Sequence, residues 1–243
     1  MSISKQSPPT NRLLAALPAS VLASCERVDL QFAAVLCEVD EPIKHAYFPI
    51  DGFISLVTAL DSGEKLEVGI VGAEGMFGVS LVSGVNVASH HALVQGAGTA
   101  LRMSVATFVR HFKNNLRFQK DLHSYVYVLM RQLALTAACS HYHNTGARLA
   151  RWLLLTRDRA RSDEFHLTHE FLAYMLGVRR VGITEAATAL QKSGLIEYRR
   201  GQIVILNGPG LEKASCCCYR QANSLYQQIM SAKSGKSRRA SIQ

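Results

Sequence analysis

Between Val28 and about Met103 the chain alternates short apolar runs with turn-forming residues. Three such runs, HAYFPI, FISLVTAL and KLEVGIV, are separated by Asp51-Gly52 and by Asp61-Ser62-Gly63-Glu64. Asp-Gly and Ser-Gly favour turns because these residues accept a positive φ. Repeated short strands with frequent turns predict a β-sandwich or a small barrel.

After Ser104 the apolar pattern becomes helical. From Leu122 the apolar side chains recur in steps of four, three, four and four residues, which is close to heptad spacing. A seam of this kind packs either on its own domain or on a second copy of the chain, and we favour the second copy. The predicted dimer interface is Leu122, Val126, Leu129, Leu133 and Ala137.

The C-terminal part reads as further helices followed by a hairpin. One helix is predicted over about Thr145 to Arg159, and a second starts at Thr168 as N-cap and ends at Gly177. A third covers about Arg179 to Lys192. Two short strands, 195–199 and 202–206, then flank the turn Arg200-Gly201.

The pattern is weaker at the two ends of the chain. Residues 12–24 predict a short helix interrupted by Pro18. A last helix is predicted over Gly210 to Met230, and the tail after it is expected to be disordered.

The segment from residue 168 to residue 206 has the order of a winged helix-turn-helix. On its second helix we expect Val181, Ala186, Ala189 and Leu190 to supply the buried side. Arg180 is the best candidate for a bidentate contact with guanine. The full set of predicted DNA-binding residues is Thr168, His169, Arg179, Arg180, Gly182, Thr184, Glu185, Arg199, Arg200 and Gln202.

The charge distribution supports a polyanion-binding C-terminal part. The net charge is +9, yet residues 1–145 hold 11 basic and 11 acidic side chains, so the whole excess lies beyond them. Lysine and arginine bind nucleic acid by releasing counterions from phosphates. There is no apolar run long enough to span a membrane and no secretory signal, so we expect a cytoplasmic protein.

The six cysteines do not form a disulfide framework. Three consecutive thiols, Cys216, Cys217 and Cys218, would point in three directions on a helix, although a thiol switch stays open. His90-His91 and His141-x-His143 do not match zinc-site spacings, so neither a metal nor another cofactor is predicted. No nucleophile elbow, P-loop or spaced carboxylate pair is present, which argues against an enzyme.

The sequence LTHEFLAYMLGVRRVGITEAATALQKSGLIEYRRGQIVI resembles the DNA-binding domain of the cyclic AMP receptor protein/fumarate-nitrate regulator (Crp/Fnr) family. Upstream, FPIDGFISLV resembles the jelly-roll sensor domain of that family, and residues 119–140 resemble its long dimer helix. The resemblance implies an α+β protein with a β-roll sensor domain (12–112), a dimerisation helix and hinge (113–144), a winged helix-turn-helix (145–213) and a C-terminal helix with a basic tail (214–243). It also implies double-stranded DNA, a second copy of the chain and RNA polymerase as partners.

The sensor region departs from the family members that bind cyclic nucleotides. Those members place an arginine beside a serine or threonine to hold the cyclic phosphate. Here Glu74 and Gly75 stand in the first part of the corresponding motif, but His90 and His91 occupy the arginine's place. A neutral imidazole does not replace a guanidinium fork. An effector pocket at these four residues is therefore expected not to respond to cyclic AMP.

These observations favour a homodimeric, sequence-specific transcription regulator. One alternative is a ligand-binding or metal-binding β-domain protein whose C-terminal module mediates protein contacts. Another is a regulator with no ligand, controlled only by its abundance. The identity of the effector, the target promoters and the direction of regulation stay open.

Overall fold

A computed structural model describes residues 11–15 and 17–231 and shows an N-terminal part built mainly of strands and a C-terminal part built mainly of helices. The N-terminal part contains helix α1 (Ala19–Leu22) and seven strands. The strands are β1 (Glu26–Leu30), β2 (Val35–Cys37), β3 (His45–Pro49), β4 (Phe53–Ala59), β5 (Lys65–Val71), β6 (His91–Gly96) and β7 (Gly98–Ser104). They form two antiparallel sheets, in the orders β1-β7-β3 and β2-β6-β4-β5, as the short apolar runs predict.

The two sheets enclose one apolar core. Phe48 from the first sheet and Ile54 and Val94 from the second are buried in it. The Asp51-Gly52 turn between β3 and β4 needs glycine, because Gly52 has a φ of +72° and a Cβ atom there would collide with the carbonyl oxygen of Gly96.

Two helices follow the sheets. Helix α2 (Val105–Asn114) starts at Ser104, whose hydroxyl accepts a hydrogen bond from the backbone N–H of Thr107. Helix α3 (Leu116–Tyr142) starts at Asn115, whose side chain accepts from the N–H of Phe118. At 27 residues, α3 is about 40 Å long.

The N-terminal half of the predicted dimer seam faces the chain's own β-domain, so that part of the prediction is wrong. Leu122 is fully buried in the core, and Val126 and Leu129 pack against it. Leu133 and Ala137 remain exposed. Heptad spacing defines a stripe on a helix but not the partner that covers it, and the β-domain covers this stripe at its N-terminal end.

The C-terminal part of the described chain contains five helices and a small sheet. They are α4 (Thr145–Ala160), β8 (Glu164–His166), α5 (His169–Leu176), α6 (Arg180–Lys192), β9 (Ile196–Arg199), β10 (Gln202–Ile205), α7 (Gly208–Ala214) and α8 (Cys218–Tyr226). The sheet order is β8-β10-β9. Trp152, Leu172, Ile183 and Ile203 are buried at the centre of this part.

The last predicted helix is interrupted. Helix α7 ends at Ala214 and α8 begins at Cys218, so residues 215–217 form a break, and a π-helical turn follows over Gln227–Ser231. The break turns Cys216 and Cys218 inward, so the expectation of three diverging thiols is also wrong. At the other end, α1 begins directly after Pro18. The expected disordered tail, residues 232–243, lies outside the described residues.

The second sheet carries the helix-turn-helix part on its outer face. Phe53, Val57 and Ile70 of that sheet belong to the C-terminal apolar cluster. Polar bonds also cross this contact: the indole N–H of Trp152 donates to Glu67 at 2.7 Å, and Arg159 pairs with Glu74 at 3.1 Å. Within the described ranges, no helix combines the length and apolar character needed to cross a membrane.

Candidate nucleic-acid interface

The turn between α5 and α6 positions the second helix. Gly177 ends α5 in the left-handed conformation, at a φ of +60°, and its N–H bonds to the carbonyl oxygen of Tyr174. Helix α6 starts three residues later with Arg179 as its N-cap residue. This short reversal is what a helix-turn-helix requires.

One side of α6 is packed against the protein and the other is exposed. The buried side chains are Ile183, Ala186, Ala187 and Leu190. Their spacing of three, one and three residues is that of a helix face. Val181 is 66% exposed and Ala189 is also exposed, so the prediction that these two are buried is wrong. The sequence prediction left out Ile183 and Ala187, and the complete stripe of apolar residues with these two included is the signal that could have identified the buried face.

The exposed face of α6 carries charged, polar and apolar side chains that could contact the edges of DNA bases. Arg179 and Arg180 stand at its start, and neither forms an ion pair with any described residue. Val181 and Thr188 lie at the centre of the face and were missed by the sequence analysis. The other exposed side chains of the helix are Thr184, Glu185, Ala189, Gln191 and Lys192.

His169 and Thr184 serve a structural purpose inside the motif. The Thr184 hydroxyl donates to the carbonyl oxygen of Arg180 at 3.1 Å, so Nδ1 of His169, 3.0 Å from the same hydroxyl, is the donor to it. The ring of His169 stacks on that of Tyr198, with centroids 4.2 Å apart. Burial, and then the positive charge of Arg180, lower the pKa of His169, so it is neutral at pH 7. These contacts join α5, α6 and β9.

Thr168 and Gly182, which were also predicted to bind DNA, make contacts inside the protein. The Thr168 hydroxyl caps α5 by accepting from the N–H of Phe171 at 3.1 Å. Gly182 faces the start of α4, where a Cβ atom would lie 3.8 Å from the Thr145 hydroxyl. Gly182 therefore lies at the edge of the exposed face rather than at its centre.

The predicted hairpin is present and has a two-residue turn. Arg200 and Gly201 have φ values of +52° and +84°, as a type I′ turn requires. Arg199 and Arg200 are exposed at its tip. The Gln202 amide donates to Glu164 at 3.4 Å, so it is partly occupied within the small sheet. The wing therefore presents two arginines beside α6.

The four residues predicted for an effector pocket do not gather around one cavity. Glu74 is paired with Arg159 and lines a cavity of about 350 Å³ with Arg12 and Tyr226. His90 lines a different cavity of about 30 Å³. The side chain of His91 is bonded to Glu38, with 2.6 Å between Nδ1 and Oε2.

Because Gly75 has no side chain, the aromatic ring of Tyr125 from α3 packs directly against it. A Cβ atom at this position would collide with the hydroxyl oxygen of Tyr125. Tyr125 is buried, and its hydroxyl is hydrogen-bonded to the backbone of Met76. Burial raises the pKa of Tyr125, so it stays neutral. Tyr125 therefore fills the space beside the loop that carries Glu74 and Gly75.

Comparison with known proteins agrees with this geometry. Residues 147–214 match the family model described as the Crp-like helix-turn-helix domain. The structure is similar to FixK2 from Bradyrhizobium japonicum, with a TM-score of 0.67 and 15% identity over 79% of this chain and 98% of that chain. No curated protein matches the sequence.

Two further solved structures show the same likeness. A transcriptional regulator of the CRP family from Thermus thermophilus has a TM-score of 0.63 and 18% identity over 77% of this chain and 96% of that one. The c-di-GMP-responsive global regulator CLP of Xanthomonas campestris has a TM-score of 0.62 and 15% identity over 77% and 99%. The chain therefore carries a Crp-like helix-turn-helix domain on the fold of Crp/Fnr-family regulators.

Proposed function

We propose that this protein is a sequence-specific transcription regulator that binds double-stranded DNA as a homodimer. The observation that carries the proposal is the exposed face of α6, with Arg179 and Arg180 at its start and the arginine-tipped hairpin beside it. A helix that protrudes in this way fits the major groove. This role involves no catalysis, and we expect the protein to carry it out in the cytoplasm.

The residues on α6 and the wing divide between base and phosphate contacts. Arg180 makes the bidentate contact to guanine, which is the commonest specific contact in the major groove. Val181, exposed next to it, meets a thymine methyl group. Arg199 and Arg200 contact the sugar-phosphate backbone, which sets the register of the protein on the duplex.

The homodimer proposal rests on a face of α3 that shares only Ala137 with the seam that the sequence favours. Exposed residues recur along α3 in alternating steps of four and three, which is a heptad pattern. Met130 is 63% exposed and Tyr127 is 45% exposed at its centre. The residues of this exposed heptad face are Leu116, Lys120, His123, Tyr127, Met130, Ala134, Ala137 and His141. A second copy of α3 covers it.

The sensor domain is proposed not to respond to cyclic AMP. The cavity beside His90 is about 30 Å³, whereas pockets for small molecules are about 300 to 1,000 Å³. Tyr125 occupies the space beside Gly75. Any effector therefore binds elsewhere or requires Tyr125 to move. Contact with RNA polymerase, which the family resemblance implies, stays a prediction.

The experiment that tests the proposal is selection of bound sequences from random duplex DNA, followed by binding titrations over a range of salt concentrations. A regulator binds one palindromic sequence, and its affinity falls steeply with salt because phosphate contacts release counterions. Arg180→Ala weakens binding by about 1–3 kcal/mol and relaxes base choice at one position. The matched control is Arg220→Ala, an exposed arginine on α8.

Two results would contradict the proposal. One is salt-dependent binding with no preference for any sequence. The other is equal affinity of the Arg180 and Arg220 variants for the selected site. If the protein binds no DNA but its C-terminal part captures a protein, the alternative of a protein-contact module is supported instead.

A further inference from the structure

Four side chains that ligate transition metals meet where α3 ends. The donor atoms of Cys139, His143, Cys216 and Cys218 all lie within 4.8 Å of one another. The sulfur atoms of Cys139 and Cys216 are 3.5 Å apart. Nδ1 of His143 is 3.7 Å from the sulfur of Cys218. All three cysteines are buried, and His143 is half-buried.

The backbone brings these residues together as two short pairs. Cys139 and His143 are four residues apart at the end of α3, so they lie on the same face of the helix. Cys216 and Cys218 flank the break between α7 and α8, which turns both sulfur atoms inward. Cys217 between them is exposed. Neither pair alone is a complete site, and 77 residues separate Cys139 from Cys216.

The distances suit a tetrahedral zinc ion. Zinc–sulfur bonds of about 2.3 Å and zinc–nitrogen bonds of about 2.0–2.1 Å place tetrahedral ligands about 3.8 Å apart for two sulfurs and about 3.6 Å apart for sulfur and nitrogen. The two measured separations, 3.5 Å and 3.7 Å, lie close to these values. Three thiolates with one imidazole form a known class of structural zinc site, and soft sulfur ligands disfavour magnesium or calcium.

The surroundings are suited to the charge of such a site. Zinc with three thiolates and a neutral imidazole has a net charge of −1. Arg151 acts electrostatically on all three thiols, and its Nε atom is buried without a hydrogen-bond partner among the described residues. Its Nη2 atom is held by Thr136 at 3.2 Å. The positive charge of Arg151 therefore offsets part of the negative charge of the site, as an outer partner of metal ligands does.

We propose that Cys139, His143, Cys216 and Cys218 bind one Zn²⁺ ion that ties the end of α3 to the C-terminal helices. The site lies beside Asn144, the N-cap of α4, at the hinge between α3 and the helix-turn-helix. The ion therefore holds the orientation of the DNA-binding part relative to α3. This consequence for DNA binding rests on the proposed function, whereas the metal site itself does not.

The first test is the metal content of the full-length protein, purified without an affinity resin that carries metal and without chelator. We expect one zinc ion per chain in the wild type. Cys216→Ser loses the ion, whereas Cys217→Ser, which removes the exposed neighbouring thiol, retains it. A second matched pair lies at the end of α3. His143→Ala should lose the zinc ion, whereas His141→Ala, at an exposed position, should retain it.

A second measurement keeps the test valid if the ligand variants do not fold. Metal-depleted wild-type protein is titrated with Co²⁺ and then Zn²⁺. The expected result is strong visible absorption from tetrahedral cobalt bound to thiolates, which disappears when zinc displaces it, and a higher unfolding temperature with zinc. The proposal is overturned if the wild-type protein contains no zinc and gives no cobalt spectrum. It is also overturned if the purified protein contains iron with labile sulfide, or if Cys139 and Cys216 form a disulfide in protein purified under reducing conditions.

DNA binding is measured separately, so that the two proposals fail independently. Zinc removal is expected to weaken binding to the selected site, and zinc addition to restore it. A zinc-loaded protein that binds no DNA refutes the proposed function and leaves the metal site intact. Unchanged affinity after complete zinc removal overturns the hinge role of the ion.

Discussion

Glu67 on β5 is a buried carboxyl group at the contact between the β-domain and the helix-turn-helix part. The Ser55 hydroxyl donates to it at 2.5 Å, and the indole N–H of Trp152 donates at 2.7 Å. Burial raises the pKa of Glu67 to about 7, although both hydrogen bonds and the positive charges of Arg159 and Arg151 oppose the shift. The change Glu67→Gln replaces this carboxyl with a permanently neutral group of the same shape.

The magnitude follows from the difference between the folded and the unfolded pKa. The ordinary value is 4.5, so the folded protein binds more protons than the unfolded chain between about pH 4.5 and pH 7. The stabilising effect of the protonated group is fully present below the unfolded pKa and is lost as the pH rises through the folded pKa. Relative to its value below the unfolded pKa, the free energy of unfolding is lower by about 1 kcal/mol at pH 5 and by about 3 kcal/mol at pH 8.

The assay is urea unfolding of wild type and Glu67→Gln at several pH values from 5 to 8. We expect the variant's advantage in free energy of unfolding to grow by about 2 to 3 kcal/mol over this range. With an m-value of about 3 kcal/mol/M, the midpoint difference grows by nearly 1 M. Histidines that titrate in the same range affect both proteins equally, so the comparison isolates Glu67.

The matched control is Glu197→Gln, because Glu197 is an exposed glutamate on β9. This variant should follow the wild type at every pH. The reasoning about Glu67 would be refuted if the difference between Glu67→Gln and wild type stayed constant from pH 5 to pH 8, or if it became smaller as the pH rose.

Further predictions concern the other contacts. Met130→Glu places a charge in the centre of the exposed heptad face and should convert the dimer to monomer in analytical ultracentrifugation, whereas Arg131→Glu, beside it on α3, should not. Val181→Ala removes an exposed side chain from α6; it should change base preference at one A·T position in a selection experiment and leave the unfolding free energy within about 0.5 kcal/mol. Gly75→Ala should destabilise the fold by about 1–3 kcal/mol in urea unfolding, because the added methyl group collides with Tyr125; combination with Tyr125→Phe should recover part of that loss.

The local patterns predicted the hairpin, the helix-turn-helix and the turns between strands correctly, but they missed the break between α7 and α8. Turn residues with a positive φ, such as Gly52 and Gly177, marked where strands and helices end, and the Arg200-Gly201 pair marked the hairpin. These signals are reliable because they depend on a few neighbouring residues. The order of helix, turn, helix and hairpin therefore identified the candidate DNA-binding motif without tertiary information.

The choice between faces needed the tertiary structure. The stripe through Leu122 and the exposed heptad face through Met130 are both compatible with helical spacing, and only the position of the β-domain decides which one is covered. The same applies to Val181, whose exposure depends on where α4 lies against α6. Periodicity reports that a face is apolar, but it does not identify the element that packs on it.

Contacts between distant parts of the chain were decided by the tertiary structure alone. Glu67 stands in a strand where a charged residue normally faces water, and it is buried because α4 covers that side of the sheet. Cys139 meets Cys216 only because the break between α7 and α8 returns the chain to the end of α3. Short-range sequence patterns determine the elements and their ends, whereas burial and ligand geometry arise from side chains that the fold brings together from far apart in the sequence.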